Sequence, residues 1–433
     1  MNNRPTYYQN YHKHTSQSHR YNKDSPLVHQ DYFNYIKNNC SDVPQIYSTV
    51  EHGWQGVYFR VYNDLEQFNK KNNLNIKFVF GTEMYWVKNR FEKDNSNCHI
   101  ILLAKNDNGR KAINKAISIA YKTGYYYKGR MDIELLLSLP KDDIFVTTAC
   151  VAFWNKYDDI DDIVLKLNEH FNSFYLEVQP HLTEKQKKLN QHILDLHNQY
   201  NIPLIAGTDS HIIDKSSYED REDLLRSNKI HYDDEDGWFL DYPSVDEFIK
   251  RFETQGILNQ DEIYEAINNT NIILSFEDII LDRTLKVPVL KKYQNLTQEQ
   301  RNRLFINTLR KEWMNQQTDI NKDKLDQYVQ EIKHDIKEIL DCNMADYFLD
   351  NYEIIKRAIN NYGGILTPTG RGSGVSMYLN KLLGFTKVDK VNASVLMYSE
   401  RFLTATRVKE SHTPPDIDHN VSEREPFILK EIY

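Results

Sequence analysis

The first half of the sequence predicts an α/β fold, either a barrel or a doubly wound sheet, because short apolar runs alternate with helical stretches. Runs of four to six apolar residues between helices are typical of buried parallel strands. The runs span residues 46–50, 76–80, 100–103, 144–148, 174–178 and 202–206. Amphipathic helical patterns lie between them at 64–73, 108–122, 161–171 and 183–200.

Length and composition narrow the class of protein. The 433 residues predict two or three domains, and the 40% of hydrophobic residues exclude wholesale disorder. A net charge of -8 argues against a purely electrostatic nucleic-acid binder but leaves room for a local basic groove. The four cysteines are far apart, which argues against a disulfide scaffold. The N-terminus lacks a signal-peptide core and no apolar run approaches a membrane span, so we predict a cytoplasmic protein.

The second part of the sequence differs from the first in its pattern of apolar residues. The strand-helix alternation ends around residue 281, and we predict a linker over 281–296. Thr297 and Gln300 predict a capping box at the start of a helical segment over 297–362, which a glycine pair ends. The predicted domains are therefore residues 1–280, the linker 281–296, the helical segment 297–362 and residues 363–433.

Possible metal ligands stand at the ends of most predicted strands, where the sites of α/β folds lie. His12 and His14 are two residues apart, so both imidazoles lie on one face of an extended segment. A histidine pair alone is more often a surface or core feature, but seven further candidates accompany it. Imidazole, carboxylate and thiolate ligands suit Zn²⁺, with Mn²⁺ or Fe as alternatives, and several carboxylates imply more than one ion. The further candidates are Glu51, His52, Glu83, His99, Cys150, Asp209 and His211.

A second set of candidates lies near the end of the chain. Residues 365–367 predict a short strand, residues 370–374 form a glycine-rich turn, and an apolar helical stretch follows. Strand, glycine-rich turn and helix together can cradle a phosphate with backbone N–H groups. Further on, Asp416 and Asp418 would share one face of a strand and could hold two Mg²⁺ ions. Taken singly, the turn could be a flexible loop and the aspartates surface residues.

In its order of motifs, the first set resembles the polymerase-and-histidinol-phosphatase (PHP) superfamily, and more narrowly the PHP domain that opens C-family replicative DNA polymerases of bacteria and phages, the DNA polymerase III alpha subunits. The resemblance implies a distorted (β/α)7 barrel with a trinuclear metal site. An intact site implies a 3′–5′ proofreading exonuclease or a phosphoesterase, whereas members that have lost ligands keep the barrel as a scaffold. The motifs are His12-Lys13-His14, Glu51-His52-Gly53, Glu83, His99, Cys150 and Asp209-Ser210-His211.

Two positions depart from this family pattern. Glu51 stands where the family usually has an aspartate. The family also carries an aspartate shortly after the histidine pair, where this chain has Tyr21. Asp24 is the nearest substitute and requires a small insertion, so we carry it as a candidate metal ligand.

The second set resembles the palm of the same polymerases. There the glycine-serine loop binds the incoming dNTP and the aspartate pair holds catalytic Mg²⁺. Residues 363–433 are thus expected to be a partial α+β palm after a mostly helical segment. Carried onto this chain, the nucleotide-binding residues are Gly370, Arg371, Gly372, Ser373 and Arg401, and the catalytic residues are Asp416 and Asp418.

The resemblance leads to one preferred function and two alternatives. The chain stops fifteen residues after Asp418, so we predict the N-terminal portion of a DNA-directed DNA polymerase, incomplete as a single chain. Its partners would be primer-template DNA, a single-stranded 3′ end, dNTPs and a second chain that completes the polymerase, with no membrane. The alternatives are a free-standing PHP phosphoesterase or exonuclease, and an inactive scaffold.

Overall fold

The computed structural model describes residues 3–18, 24–96, 98–154, 157–231, 237–366 and 371–418. The chain folds into two compact units, Met1–Leu281 and Asp282–Tyr433. The predicted linker over 281–296 and the boundary at residue 363 stay predictions. Within the described ranges, no helix is long and apolar enough to cross a membrane.

The first unit is built on one curled eight-stranded sheet. The strand order is β4-β5-β2-β3-β6-β7-β8, and β1 also pairs with β2. The strands are β1 (Ile46–Thr49), β2 (Lys77–Trp86), β3 (Cys98–Ala104), β4 (Tyr125–Tyr126), β5 (Lys128–Met131), β6 (Ile144–Thr147), β7 (Phe174–Val178) and β8 (Leu204–Ala206).

The prediction that all strands are parallel is wrong for β3. This strand runs antiparallel to both β2 and β6, whereas β1 and β2, β6 and β7, and β7 and β8 pair in parallel. The described residues between β2 and β3 form no helix, and a short connection without a helix joins antiparallel strands. The sheet is therefore mixed, and its curl gives the distorted barrel that the sequence predicts.

The N-terminal segment over residues 9–14 lies between β8 and β1. Lys13 forms a parallel bridge with Ser210, just after β8. On the other side, the Ser48 hydroxyl in β1 donates to the carbonyl of Tyr11 (2.7 Å). The segment thus spans the gap between the first and last strands of the parallel run and brings its histidine pair to the sheet.

Side chains are buried on both faces of the sheet. In β3, Ile101 and Leu103 belong to a small core inside the barrel, and Ile100 and Leu102 belong to the larger core under the helices. Because successive residues of a strand point to opposite faces, a strand buried on both faces has an uninterrupted apolar sequence. This is why the strands were visible as apolar runs.

Nine helices of the first unit fall within the described residues, and several begin at side-chain caps. Asn106, Thr183, Ser244 and Asn259 each accept a hydrogen bond from an N–H group in the first turn that follows. The helices are α1 (His29–Asn39), α2 (Tyr58–Asn72), α3 (Asp107–Thr123), α4 (Ile133–Leu137), α5 (Ile160–His170), α6 (Glu184–Tyr200), α7 (Tyr218–Ser227), α8 (Val245–Gln255) and α9 (Gln260–Asn269).

The second unit is mostly helical. Thr297 and Gln300 form the predicted capping box at the start of its first helix, and Gly363 (φ +62°) ends its third. Buried aromatic and aliphatic side chains, among them Phe305 and Phe348, form a core separate from that of the first unit. The helices are α10 (Gln298–Asn315), α11 (Leu325–Asp341), α12 (Ala345–Tyr362), α13 (Tyr378–Leu382) and α14 (Ala405–Ser411).

The two strands predicted in this unit are not formed within its described residues. Leu366 makes an isolated bridge, Thr367 lies outside the described residues, and Asp416 and Asp418 lie in a segment without strand pairing. A strand is stable only when a neighbour satisfies its backbone groups. The apolar stretch after the glycine-rich turn forms a 3₁₀ turn over Gly372–Ser376 and then α13.

Candidate metal centre

The predicted ligands meet at one end of the barrel, the mouth, because of the strand directions. β1, β6 and β8 all end there, so His52, Cys150 and Asp209, which follow these strands, lie at the mouth. β3 runs the opposite way, so His99 reaches the same place from the start of its strand. Glu83 lies inside β2 and is bridged to His52.

The carboxylate of Glu83 lies at the centre of the mouth and is fully buried. Its Oε2 atom is 3.0 Å from His14 Nε2, 2.9 Å from His52 Nδ1 and 3.6 Å from His12 Nε2. Its Oε1 atom is 2.9 Å from His99 Nδ1. A carboxylate with imidazoles near both oxygens could share the binding of metal ions with several of these histidines.

Asp209 supplies a second carboxylate on the other side of the histidine pair. Its Oδ1 atom is 3.2 Å from His12 Nε2, 3.1 Å from His14 Nε2 and 3.7 Å from His211 Nδ1. The backbone of Asp209 has φ +46°, a conformation that non-glycine residues rarely adopt and that clusters at functional sites. The surrounding fold therefore holds this carboxylate where it is.

The last two candidates lie beside these groups. Cys150 Sγ is 3.4 Å from His99 Nδ1 and 3.7 Å from Glu83 Oε1. Asp24 Oδ2 is 3.8 Å from His211 Nε2. The substitute aspartate chosen from the sequence thus lies next to the histidine that follows β8.

Three overlapping sets of side chains have ligand atoms within 4.8 Å of one another. Neighbouring sets share His14 or His52, so they form one continuous cluster and not three scattered sites. That arrangement has room for more than one ion. The sets are His12 with His14 and Asp209, His14 with His52 and His211, and His52 with Glu83 and His99.

The donor set fits metal ions. The Nε2 atoms of His12 and His14 and the Oε2 atom of Glu83 are buried and make no hydrogen bond of good geometry to any described residue. Leaving buried polar atoms unsatisfied costs about 1–3 kcal/mol each, so such atoms need another partner. Imidazole, carboxylate and thiol donors at one mouth are those that Zn²⁺ and Mn²⁺ use.

The electrostatics of the mouth favour bound positive charge. Burial disfavours the charged form of His14, but the close carboxylates of Asp209 (3.1 Å) and Glu83 (3.0 Å) outweigh it and raise the pKa of His14 to about 10. The same balance, with Glu177, raises the pKa of His12 well above its usual value. Burial would raise the pKa of Glu83, but the nearby imidazoles lower it well below its usual range. A field that stabilises imidazolium also stabilises a metal cation.

Sequence reasoning missed one residue of this site, Glu177. Its Oε1 atom accepts a hydrogen bond from His12 Nδ1 (2.6 Å), which leaves Nε2 for a ligand. Tyr11 and Thr147 hydroxyls donate to its other oxygen (2.6 and 3.0 Å). Glu177 lies inside β7 and not at its end, and the signal was a carboxylate in an otherwise apolar run.

Glu51 was predicted as a ligand, but the structure places its carboxylate one step away from the cluster. It accepts hydrogen bonds from the hydroxyls of Thr15 (2.5 Å) and Ser18 (2.6 Å). The Ser18 oxygen in turn accepts from His14 Nδ1 (3.0 Å). Glu51 therefore orients His14 through Ser18, much as Glu177 orients His12 directly.

The second set of candidates meets at a turn of the second unit. Arg371 Nη2 is 3.4 Å from Asp418 Oδ1. Gly372 has φ +69°, and a Cβ atom there would overlap the Asp418 carboxylate. Ser373 is half-buried beside them, whereas Asp416 is exposed. The structure thus brings Asp418 to the glycine-serine turn; Gly370 lies outside the described residues.

The turn over Ser399–Arg401 lies against the glycine-serine turn. The Ser399 hydroxyl donates to the carbonyl of Ser376 (3.3 Å). The guanidinium of Arg407 donates to the carbonyls of Arg401 (3.5 Å) and its neighbour, which fixes the shape of this turn. The Arg401 side chain is exposed, so it is free to meet a ligand from solvent.

Two family models match separate parts of this chain. Residues 48–181 match the family model "PHP domain", and residues 302–429 match "Bacterial DNA polymerase III alpha NTPase domain". This chain is similar to the N-terminal region of DNA polymerase III alpha subunits. The resemblance predicted from the two sets of motifs is confirmed.

Individual alpha subunits align with most of this chain. It is 27% identical over 378 residues to the DNA polymerase III subunit alpha of Borreliella burgdorferi, covering 83% of this chain and 31% of that protein. Identity is 27% over 383 residues with that of Aquifex aeolicus (79% and 31%) and 24% over 435 residues with that of Chlamydia pneumoniae (85% and 34%). The chain thus spans about a third of the length of these alpha subunits.

Proposed function

We propose that the first unit is a metal-dependent phosphodiesterase that removes nucleotides from the 3′ end of DNA, in a protein whose second unit is part of a DNA polymerase centre. The observation that carries the proposal is the continuous cluster at the mouth, which contains seven of the ten predicted ligands. Cys150 and Asp24 lie beside it, and Glu51 contacts His14 through Ser18. Relationship to DNA polymerase III alpha subunits favours DNA over other phosphodiesters.

The side chains of the mouth have three separate tasks in this proposal. His12, His14 and Asp209 would hold cations on one side, and Glu83 would hold them together with the imidazoles on the other. Zn²⁺ or Mn²⁺ bound there would act as Lewis acids that activate water and neutralise the charge of a phosphodiester. The carboxylates that orient the imidazoles keep the ligand atoms in place without reorganisation.

The test uses a single-stranded oligonucleotide labelled at its 5′ end, with loss of 3′ nucleotides followed on gels in the presence of Mn²⁺ or Zn²⁺. His12→Ala and Asp209→Ala are each expected to abolish the shortening. His192→Ala is the matched control, because this histidine lies half-exposed on α6, where it contacts Asp161 and Trp154 and none of the predicted ligands. Nuclease rates of the two mouth variants equal to wild type would remove the exonuclease proposal.

A second function, template-directed addition of dNTPs, is favoured by the contact of Asp418 with the glycine-serine turn. In this proposal Arg371 and the turn bind the triphosphate, and Asp416 and Asp418 hold two Mg²⁺ ions. A second chain that completes the polymerase remains a prediction. Primer extension by this chain, alone and with a candidate partner chain, tests both statements, and Asp416→Ala should abolish any extension.

The inactive scaffold remains the alternative to both functions. It predicts that the purified chain binds no metal at the mouth and digests no 3′ end. Elemental analysis of the wild-type chain and the Asp209→Ala variant distinguishes the scaffold from the phosphodiesterase. The proposed phosphodiesterase must bind less metal once this carboxylate is removed.

A further inference from the structure

A short hairpin next to the mouth carries three consecutive tyrosines. β4 and β5 pair antiparallel, with Tyr127 at the tip in a left-handed conformation (φ +60°). Tyr125 is 58% exposed and Tyr127 is 77% exposed. Soluble proteins rarely expose several large aromatic rings together unless the surface binds something. We call residues 124–131 the tyrosine hairpin.

The tyrosine hairpin is held rigidly and shares its surface with a further exposed ring. The buried Arg130 guanidinium donates to the carbonyl of Gly124 (2.9 Å) and to those of Arg90 (3.1 Å) and Glu92 (3.0 Å). Residues 90 and 92 flank Phe91, whose side chain is 65% exposed. One arginine therefore fixes the hairpin and the Phe91 loop side by side.

A chain of contacts leads from the hairpin to the metal ligands. Lys128, which pairs across the strands with Tyr126, places its Nζ atom 3.9 Å from the ring centroid of Tyr85. The Tyr85 ring lies 5.1 Å from that of His99 and 6.0 Å from that of His52. The hairpin therefore stands at the edge of the mouth.

The charge of the hairpin suits an anionic partner. Residues 121–131 contain Lys122 and Lys128 and no acidic residue, and the third cation of this stretch, Arg130, is buried. Arg90 adds no net positive charge, because it pairs with Asp132 (2.5 Å) and Glu134 (3.3 Å). Exposed aromatic rings with interspersed cations are how proteins bind single-stranded nucleic acid, with bases stacked on rings and phosphates next to cations.

We propose that the tyrosine hairpin and Phe91 form a binding surface for single-stranded DNA that leads its 3′ end to the mouth. Tyr125 and Tyr127 provide stacking surfaces for bases, and Lys122 and Lys128 lie near the phosphates. This proposal deepens the proposed function and rests on it for the direction of the strand. Binding of DNA to the hairpin can nevertheless be measured without any hydrolysis.

The experiment measures binding of a 5′-fluorescein oligothymidylate to the full chain by fluorescence anisotropy, with phosphorothioate linkages at the 3′ end to prevent its removal. Replacing both Tyr125 and Tyr127 by Ala should weaken binding by about tenfold or more, because base stacking on one ring is worth about 5- to 150-fold. Tyr127→Phe should keep wild-type affinity, since the ring remains. The control is Tyr200→Ala, another exposed tyrosine, at the end of α6.

The salt dependence gives a second readout. For single strands, each phosphate contact contributes about 0.7 to the slope of log affinity against log salt, so Lys122→Ala should lower the slope by about that amount. Wild-type affinity in the double tyrosine variant, or no binding by the wild-type chain, would overturn the proposal, as would an equal loss in Tyr200→Ala. Hairpin-dependent binding without any 3′ hydrolysis would instead count against the proposed exonuclease alone.

Discussion

The two candidate sites of this chain differ in how their residues are held. At the mouth of the first unit, His12, His14 and Glu83 are fully buried, and strand ends and ordered carboxylates fix them. In the second unit, Asp416 is exposed, and its segment is held by a hydrogen bond from the Tyr347 hydroxyl to the carbonyl of Pro415 (2.8 Å). The first site is preorganised by its own unit, whereas the second is an open surface that a ligand must complete.

The sharpest way to break this comparison is to remove the carboxylate at the centre of the mouth. Glu83→Gln should reduce metal affinity by more than about 100-fold, because even residues that only orient ligands cost about 10- to 100-fold when changed. Metal titration followed by calorimetry measures the effect, and 3′ hydrolysis should fall with it.

The matched control for this variant is Glu169→Gln, an exposed carboxylate on α5 of the same unit. It should leave metal affinity unchanged. If Glu83→Gln bound metal as tightly as wild type, the preorganised cluster would not be the metal site, and the contrast between the two units would lose its basis.

The second unit also contains a buried acid, Asp335 on α11. It can be compared with Glu83 at the mouth, because no imidazole of the described residues counteracts the effect of burial on the pKa of Asp335. Burial raises the pKa of Asp335 to about 6, against the N–H of Leu379 and the charge of Lys390, which lower it. A group with a raised native pKa stabilises the fold while protonated, and that stability is lost as pH rises from about 4 to about 6.

Asp335→Asn should therefore remove a pH-dependent part of stability. The free energy of unfolding of the variant relative to wild type should increase by about 3 kcal/mol between pH 4 and pH 7, at about 1.4 kcal/mol per pKa unit. Urea denaturation, with hydrogen exchange of α11 peptides, measures it. Asp326→Asn, exposed on the same helix, should show no such trend; an equal trend in both variants would contradict the assignment.

Most candidate ligands of the first site could be predicted from the sequence, because they lie near strand ends, where an apolar run stops and a polar residue follows. His99 was found at the opening of its apolar run, and the reversed direction of β3 was not predicted, because an apolar run does not show which way its strand runs. Sequence reasoning missed Glu177, which is inside a strand. The contact of the predicted ligand Glu51 with Ser18 was not foreseen either, because residue type and position do not show which hydroxyl a carboxylate meets. In the second unit the helices could be predicted from apolar residues at helical spacing. Strands could not, because they depend on neighbouring strands that the local sequence does not specify.

The contribution of Glu177 to metal affinity should be smaller than that of Glu83 and can be measured separately. Glu177→Gln keeps the size of the side chain but weakens the hydrogen bond that orients His12, so metal affinity should fall about 10- to 100-fold. The measurement is metal titration beside Glu83→Gln. An unchanged affinity would mean that packing alone orients His12, and a loss as large as that of Glu83→Gln would mean that Glu177 itself ligates.

The smallest expected effect tests whether the two sites are independent. Asp416→Ala removes an exposed carboxylate of the second unit, and every ligand of the mouth lies between residues 12 and 211. Removal of 3′ nucleotides should therefore stay within about twofold of wild type, a change of about 0.4 kcal/mol or less. Single-turnover digestion of a labelled oligonucleotide measures the rate. A large loss of nuclease activity would mean that Asp416 of the second unit takes part in the reaction at the mouth, because this exposed side chain does not belong to the cluster of metal ligands.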